Sequence, residues 1–324
     1  MEDKTRLGLY ETMVLSRSFE EAILHDYHAD KAPAWDIGAG LIPGEMHLSA
    51  GQEPVAAGIC AHLGVNDAIT ATHRPHHLAI AHGMDLKTLA AEIYGRETGF
   101  GRGRGGHMHL FDPSTHFSCS GIIAEGYPPA LGQAFSFKYH KSTNIAVAVT
   151  GEGAANQGAF HESLNLAALW RLPVVFVVED NDWAISVPKN RSTAIASNAD
   201  RANSYGIPGE RVENNSVEGV WQAAGRAVER ARSGGGPSLI EVRTVRLWGH
   251  FEGDAQAYRN DMDHLSERDP IPLYAEDLIR DGVLSPEQID AISVDARAAV
   301  EEAIEFAKSS SIPLGSEASR YVFA

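Results

Sequence analysis

The stretch Gly151–Trp183, GEGAANQGAFHESLNLAALWRLPVVFVVEDNDW, decides how this chain folds. Ile145 to Val149 just ahead of it, and Val174 to Val178 inside it, are short continuous apolar runs rich in β-branched residues. Such runs are expected of strands buried on both faces. Between them, Asn156 to Trp170 carries Phe160, Leu164, Ala167 and Ala168 at helical spacing and stops ahead of Pro173. Strand, helix and strand in succession predict two parallel neighbours joined by a crossover. Gly151-Glu152-Gly153 then falls at the carboxyl end of the first strand and Asp180-Asn181 at that of the second. Open α/β sheets bind ligands at that edge. A carboxylate and an amide carbonyl are hard oxygen donors, which Mg²⁺ takes together with substrate phosphates. A helix N-terminus beside them favours an anion. The spacing predicts a Mg²⁺-diphosphate site; for this segment alone, an ordinary glycine turn between strand and helix is the alternative.

Outward from this unit the pattern continues. The first 30 residues read as an amphipathic helix, and Lys31 to Gly44 (KAPAWDIGAGLIPG) as a loop. Glu53 to Leu63 is apolar at helical spacing, and Asp85 is an N-cap for LKTLAAEIYG, with Gly95 ending it. Residues 99–121 are so rich in Gly and Pro that they must form an extended loop. Residues 184–204 read as a polar loop, Asn215 or Ser216 caps a helix to about Arg232, and SLIEVRTV (238–245) is a further strand leading to Trp248-Gly249-His250. A charged loop and helices complete the chain. This alternation predicts an α/β fold, a doubly wound and mostly parallel sheet flanked by helices.

Composition narrows the classes of function. The 324 residues are 44% hydrophobic, ample for a core, and no apolar run approaches the roughly 20 residues that span a membrane. The amino terminus mixes acids into its helix and is not a secretory signal. Cys60 and Cys119 are the only cysteines, so no disulfide framework is implied and a cytoplasmic location is expected. A net charge of −16 argues against nucleic acid.

A Gly-acid-Gly separated by 26 residues from an acid-Asn pair resembles the thiamin diphosphate motif. The wording GEGAANQGAFHESLNLAALWRLP is similar to the alpha subunit of the thiamin diphosphate-dependent dehydrogenase component of 2-oxo acid and acetoin dehydrogenase complexes, and the likeness covers roughly residues 5–275. The resemblance implies the thiamin diphosphate-binding fold, read here as one domain over 1–324 with a helical N-terminal segment and a helical C-terminal extension from about 265. It implies thiamin diphosphate and Mg²⁺ as cofactors.

Carried over residue by residue, the resemblance makes Glu152, Asn181 and the backbone carbonyl of Trp183 the metal ligands. Relatives often carry Asp at 152. Asp180 replaces the usual first Asn and adds a negative charge near the diphosphate. His73-Arg74 stands where the family has Tyr-Arg; the planar fork of Arg74 suits phosphate oxygens, and His73 still offers one donor. Gly153 and Ala154 join the cofactor-binding set. Gly121 and Ile123, in SGIIAEG, match backbone positions that bond the aminopyrimidine, and Ile185 matches the apolar side chain that props the thiazolium. His47, in GEMHLSAGQE, and His250, in WGHFEGDAQAYR, match catalytic histidines, the second also covering the diphosphate. The cluster His73, His76 and His77 has a transition-metal site as its alternative reading, although Zn²⁺ wants further ligands. His107 and His109 invite the same question, and His109 matches the family.

The resemblance also implies partners. The Glu that activates the cofactor comes, in two-subunit relatives, from a separate beta chain, and this sequence matches only the diphosphate half. A beta subunit, in an assembly of two alpha and two beta chains, and a lipoyl acyltransferase core are therefore expected. The implied reaction breaks a bond next to a carbonyl and passes the acyl unit to a lipoyl group, or electrons to an acceptor. The loop words GHFEGDAQAYR, and Glu45 where pyruvate-type members often have an aromatic residue, favour acetoin over pyruvate or a branched 2-oxo acid. An ionised Glu45 in the pocket would repel a carboxylate and tolerate a neutral substrate.

Two other classes compete. A non-catalytic partner subunit with a degenerate site is disfavoured by intact Glu152, Asn181 and Arg74. A nucleotide-binding module is disfavoured because no GxGxxG follows a predicted strand and no GxxxxGK[ST] occurs. Phe251 and Ala257 stand where some relatives carry phosphorylated serines, so that switch is excluded at these positions. Residues about 246–262 are expected to be mobile without cofactor and ordered with it.

Overall fold

The apolar runs of the central motif become strands because they are buried from both sides. The computed structural model describes residues 1–29, 31 and 36–320; residues 32–35 of the expected Lys31–Gly44 loop and 321–324 of the expected domain lie outside the described residues. In chain order the described residues form helices α1 (Asp3–His28) and α2 (Glu53–Cys60), strand β1 (Ala68–Ala71), helices α3 (His76–Ala81) and α4 (Leu86–Ile93), and strands β2 (Phe111–Asp112) and β3 (Phe117–Cys119). Helix α5 (Tyr127–Tyr139), strand β4 (Ala146–Gly151), helix α6 (Gly158–Trp170) and strand β5 (Val174–Asp180) follow. Then come strands β6 (Trp183–Ala184) and β7 (Val187–Pro188), helix α7 (Lys189–Ser192), strand β8 (Gly209–Val212), helix α8 (Val217–Arg232) and strand β9 (Ser238–Arg243). Helices α9 (Pro270–Arg280) and α10 (Pro286–Ser309) end the series.

Seven strands make one sheet in the order β2-β3-β1-β4-β5-β9-β8. All its pairings are parallel except β2 with β3. Alternate residues serve opposite faces, as a pleated strand requires. Val147, Val149, Val175, Val177, Ile240 and Val242 pack with Val55 of α2, Leu78 of α3, Leu89 of α4 and Val220 of α8. Ala146, Ala148, Phe176, Val178 and Leu239 pack with Tyr127 and Ala130 of α5 and with Phe160 and Leu164 of α6. Helices on both faces give the doubly wound arrangement. A satellite cluster joins Tyr10 and Met13 of α1 to Tyr274 and Leu278 of α9 and Ala296 of α10.

Several boundaries differ from expectation. Helix α6 starts at Gly158 rather than Asn156, because Ala154–Asn156 forms a single 3-10 turn and Gln157 is extended, φ −76° and ψ 148°. Ser216, not Asn215, caps α8, accepting from the Gly219 amide. Asp85 caps α4 as expected, by accepting from Thr88. The stretch 99–121 is not wholly loop: β3 inside it pairs with β1 and extends the sheet. Residues 184–204 hold the β6–β7 hairpin's return strand, α7 and a 3-10 helix at Asn198–Tyr205.

Candidate active site

Four parallel strand ends build the site. β4 and β5 pair with Gly151 opposite Glu179, so Glu152 and Asn181 leave adjacent strands side by side. β1, on the other side of β4, runs into Thr72-His73-Arg74, and β9 runs toward Arg246 and His250. The chain turns back across the sheet between β1 and β4, and a crevice opens at such a reversal. It is a cleft of about 550 Å³. His47, His73, Arg74, Gly121, Ile123, Glu152, Gly153, Ala154, Asn181, Trp183, Ile185 and His250 all line it. The residues proposed to hold cofactor, metal and substrate are thus brought to one place, with Arg246 and His109 among them, whereas His76, His77, His107 and Asp180 do not line the cleft.

The acidic side of the cleft lacks a counter-charge. Glu152 is 2% exposed, and its Oε1 has no hydrogen-bond partner. Burial, then the nearby Asp180, pushes its carboxyl up to about 7. Asn181 Oδ1 accepts from the Trp183 amide at 3.1 Å, a local turn that fixes the side chain beside Glu152. Asp180 itself faces away from the cleft. Lys189 and Arg243 both pair with it, and Lys189 also reaches Glu241 at 2.8 Å. Burial pushes Asp180 up, and these two cations oppose that. The extra negative charge expected at this position is therefore largely neutralised within the protein.

The opposite wall is cationic. Arg74 is buried and donates to the carbonyl oxygens of Leu48, at 2.8 Å, and His250. Arg246 is buried, donates to Tyr258 Oη at 2.6 Å, and leaves its Nε without a partner. Neither guanidinium forms an ion pair among the described residues. Burial, then the other arginine, pushes Arg74 down to about 9. Two buried cations without an anion, facing the end of α6, suit a diphosphate. Arg246 opens the segment 246–262, whose positive charges are expected from the sequence to face a diphosphate, and it stands just beyond the end of β9.

Imidazoles fill the floor. Ring nitrogens of His47, His73 and His250 lie within 4.8 Å of one another. Burial, followed by Arg74, pushes His47 down to about 2 and His250 to about 3, and His73 well below its ordinary value. These rings are neutral. His107 Nε2 accepts from the His47 amide at 3.1 Å, so the 3.0 Å contact from His47 Nδ1 places a proton on that Nδ1. His47 Nε2 then carries the lone pair. The grouping His73, His76 and His77 does not converge: His76 pairs with Glu20 at 3.0 Å and His77 with Glu179 at 2.7 Å. Among the described residues the histidines whose ring nitrogens converge are His47, His73 and His250, so the trio His73, His76 and His77 does not form the transition-metal site that was its alternative reading.

The rim is apolar and open. Ile122, Ile123 and Ile185 are 64%, 57% and 52% exposed. Glu45 is exposed on the same rim. Ile185 begins the two-residue turn of the β6–β7 hairpin and has φ +57°. Such a turn favours glycine there, and a β-branched residue with positive φ is a genuine outlier.

The dehydrogenase E1 component family matches residues 12–314 of the chain. The alpha subunit of an acetoin:2,6-dichlorophenolindophenol oxidoreductase from Bacillus subtilis is 42% identical, over 97% of this chain and 92% of the relative. A subunit of the same description from Cupriavidus necator is 40% identical, with 97% and 92% covered. A pyruvate dehydrogenase E1 component subunit alpha from Porphyra purpurea is 37% identical, with 98% and 92% covered.

Proposed function

The chain belongs to the dehydrogenase E1 component family and is the alpha subunit of a thiamin diphosphate-dependent dehydrogenase; we propose that it uses Mg²⁺ with that cofactor and acts on acetoin. The observation that supports the cofactor reading is the buried Glu152 carboxylate, with its Oε1 unpartnered, facing two buried arginines without counter-ions. A divalent cation answers the first and a diphosphate the second.

Glu152, Asn181 and the Trp183 carbonyl would hold the metal. Arg74, Arg246 and the Gly153-Ala154 turn would hold the diphosphate, with His73 as a further donor. Gly121 and Ile123 offer backbone groups on the far wall, and Ile185 supplies an apolar prop between them. Thiamin diphosphate, when bound, supplies a thiazolium carbon that adds to a carbonyl and takes up the electrons of the broken bond. His47 Nε2, carrying a lone pair at neutral pH, can accept the hydroxyl proton of a bound hydroxyketone. His250 stands across from it and can return a proton to a developing alkoxide. Cleavage of acetoin then leaves acetaldehyde and a two-carbon acyl unit, which goes to a lipoyl group or gives its electrons to an acceptor.

Glu45 on the rim supports a neutral substrate, and the two more similar relatives reported above are named for acetoin. Pyruvate is the second reading, because a relative named for it is 37% identical over nearly the whole chain. The exposed isoleucines around the cleft are the face we assign to the beta subunit, in a heterotetramer that docks on a lipoyl acyltransferase core. We read the chain as one domain, with α9 and α10 as its helical extension. Among the described residues no helix is long and apolar enough to cross a membrane; a cytoplasmic enzyme is the reading we favour.

The test is to assemble the chain with a beta subunit and follow dye reduction with acetoin and with pyruvate. The alpha chain alone should be silent, and the complex should turn over acetoin. Faster turnover of pyruvate would replace the substrate. A complex that binds thiamin diphosphate yet acts on neither would favour the non-catalytic reading.

A further inference from the structure

The glycine-rich segment that leads into the site is anchored on a buried carboxylate. Glu92, in α4, is fully buried. Its Oε2 accepts from the Gly101 amide at 2.7 Å and the Gly103 amide at 2.9 Å, and its Oε1 accepts from the Gly105 amide at 2.7 Å. Alternate amides of one loop thus converge on one carboxylate, the arrangement of an anion-binding nest with the anion built in. The glycines make this possible. Gly103 has φ +70°, and a Cβ on Gly101 would stand 2.9 Å from Glu92 Oε1.

What the loop delivers is His107. It is buried at the loop's end, and its Nε2 takes both the amide and the Nδ1 hydrogen of His47. That contact sets the tautomer of His47 and aims its free nitrogen at the cleft. None of the loop residues 99–106 lines the cleft, whereas His47 does. We propose that Glu92 is a positioning residue for the reaction: by clamping residues 101–105 it holds His107 in place, and His107 holds His47. The proposal rests on the reading that His47 faces the substrate. It gives a role to a buried carboxylate on which three amides of one loop end.

The assembled complex with thiamin diphosphate and Mg²⁺ provides the test. Glu92→Gln puts an NH₂ against amide donors and should lower kcat by about 10- to 100-fold, the scale of a misplaced catalytic group, while cofactor affinity stays within about 2-fold. Gly101→Ala, which keeps the carboxylate and crowds the loop, should do the same more weakly and serves if Glu92→Gln does not fold. In a double-mutant cycle with His107→Ala, the second substitution should add almost nothing to the first. Additive losses, or parental kcat in both loop variants, would overturn the proposal. Hydrogen exchange needs no turnover: residues 99–109 should exchange faster in Glu92→Gln while β4 and β5 keep their protection. Unchanged exchange in that loop overturns the clamp, whereas a parent complex that fails to turn over substrate counts against the functional reading alone.

Discussion

Arg74 donates a hydrogen bond to the main-chain carbonyl of His250 and lies 3.1 Å from its Nδ1, across 176 residues of sequence. One guanidinium thus joins the end of β1 to the segment beyond β9. The same donors face the place assigned to a diphosphate, so an arriving cofactor competes for them. Asp254 holds the segment internally, accepting from the His250 amide at 2.8 Å and from Tyr258 at 2.5 Å. Glu252 pairs with His28 at 3.0 Å. Residues 246–262 should therefore change protection when thiamin diphosphate and Mg²⁺ bind, becoming slower to exchange. Equal exchange with and without cofactor in the assembled complex would sink this. Tyr258→Phe should weaken the segment's protection without touching the metal.

Glu152→Ala or Asn181→Ala should abolish Mg²⁺-dependent cofactor binding while the chain still folds. The pH dependence carries more detail. Without metal, the Glu152 carboxyl holds its proton up to about pH 7. Mg²⁺ needs the ionised form, so its affinity should climb from pH 6 to pH 8 and then level off. Stability of the metal-free chain runs the other way. The contribution of the raised carboxyl is fully present below its ordinary value and is lost as pH rises through about 7, a change on the order of 3 kcal/mol. Glu152→Gln should remove both slopes. Calorimetric titration and thermal melts at several pH values would measure them, and a flat Mg²⁺ affinity in the parent would contradict the assignment.

Lys189 ties Asp180 to Glu241 under the floor of the cleft. Lys189→Met leaves buried Glu241 without its cation and Asp180 with Arg243 alone, and should cost about 3–5 kcal/mol, as breaking a buried pair does. Asp180→Asn in the same background should recover part of that loss, because one of the stranded charges is gone. Denaturant melts of the parent and the two variants decide; equal losses in the single and double variants would separate Asp180 from Lys189.

Glu45→Gln should improve the use of pyruvate relative to acetoin by about 3- to 10-fold, the effect of removing one like charge at an exposed rim. Raising salt should shrink the difference in the parent. Ratios of kcat/KM for the two substrates are the measurement, and an unchanged ratio would place Glu45 outside substrate selection.

The parts of the fold that were legible in sequence were those with a long or periodic signal. β4, α6 and β5 announce themselves because five apolar residues in a row, a helical stripe and a second apolar run follow one another. β1, Ala68–Ala71, is too short for any period to show. β2 and β3 are shorter still and exist only because β1 offers an edge. α5 begins Tyr-Pro-Pro and exposes Phe135 and Tyr139, so its stripe of Tyr127, Ala130, Leu131 and Ala134 is easily passed over. At the site, the residues that the matched words offered for cofactor, metal and substrate came together in one cleft, whereas Asp180 and His107 stand outside its lining. The parts played by Lys189 and Glu92 were not legible, since each acts through partners more than 8 positions away in sequence or by closing a charge balance that only the folded chain reveals.

Ile185 has a consequence for how this sequence can drift. Its left-handed backbone would be relaxed by glycine or asparagine, and selection for a sturdier fold alone would push the position that way. In the role proposed for Ile185, a smaller or polar side chain would leave the thiazolium unsupported. On that reading turnover and robustness pull this position in opposite directions, and exchange for glycine should make the fold sturdier at the expense of catalysis.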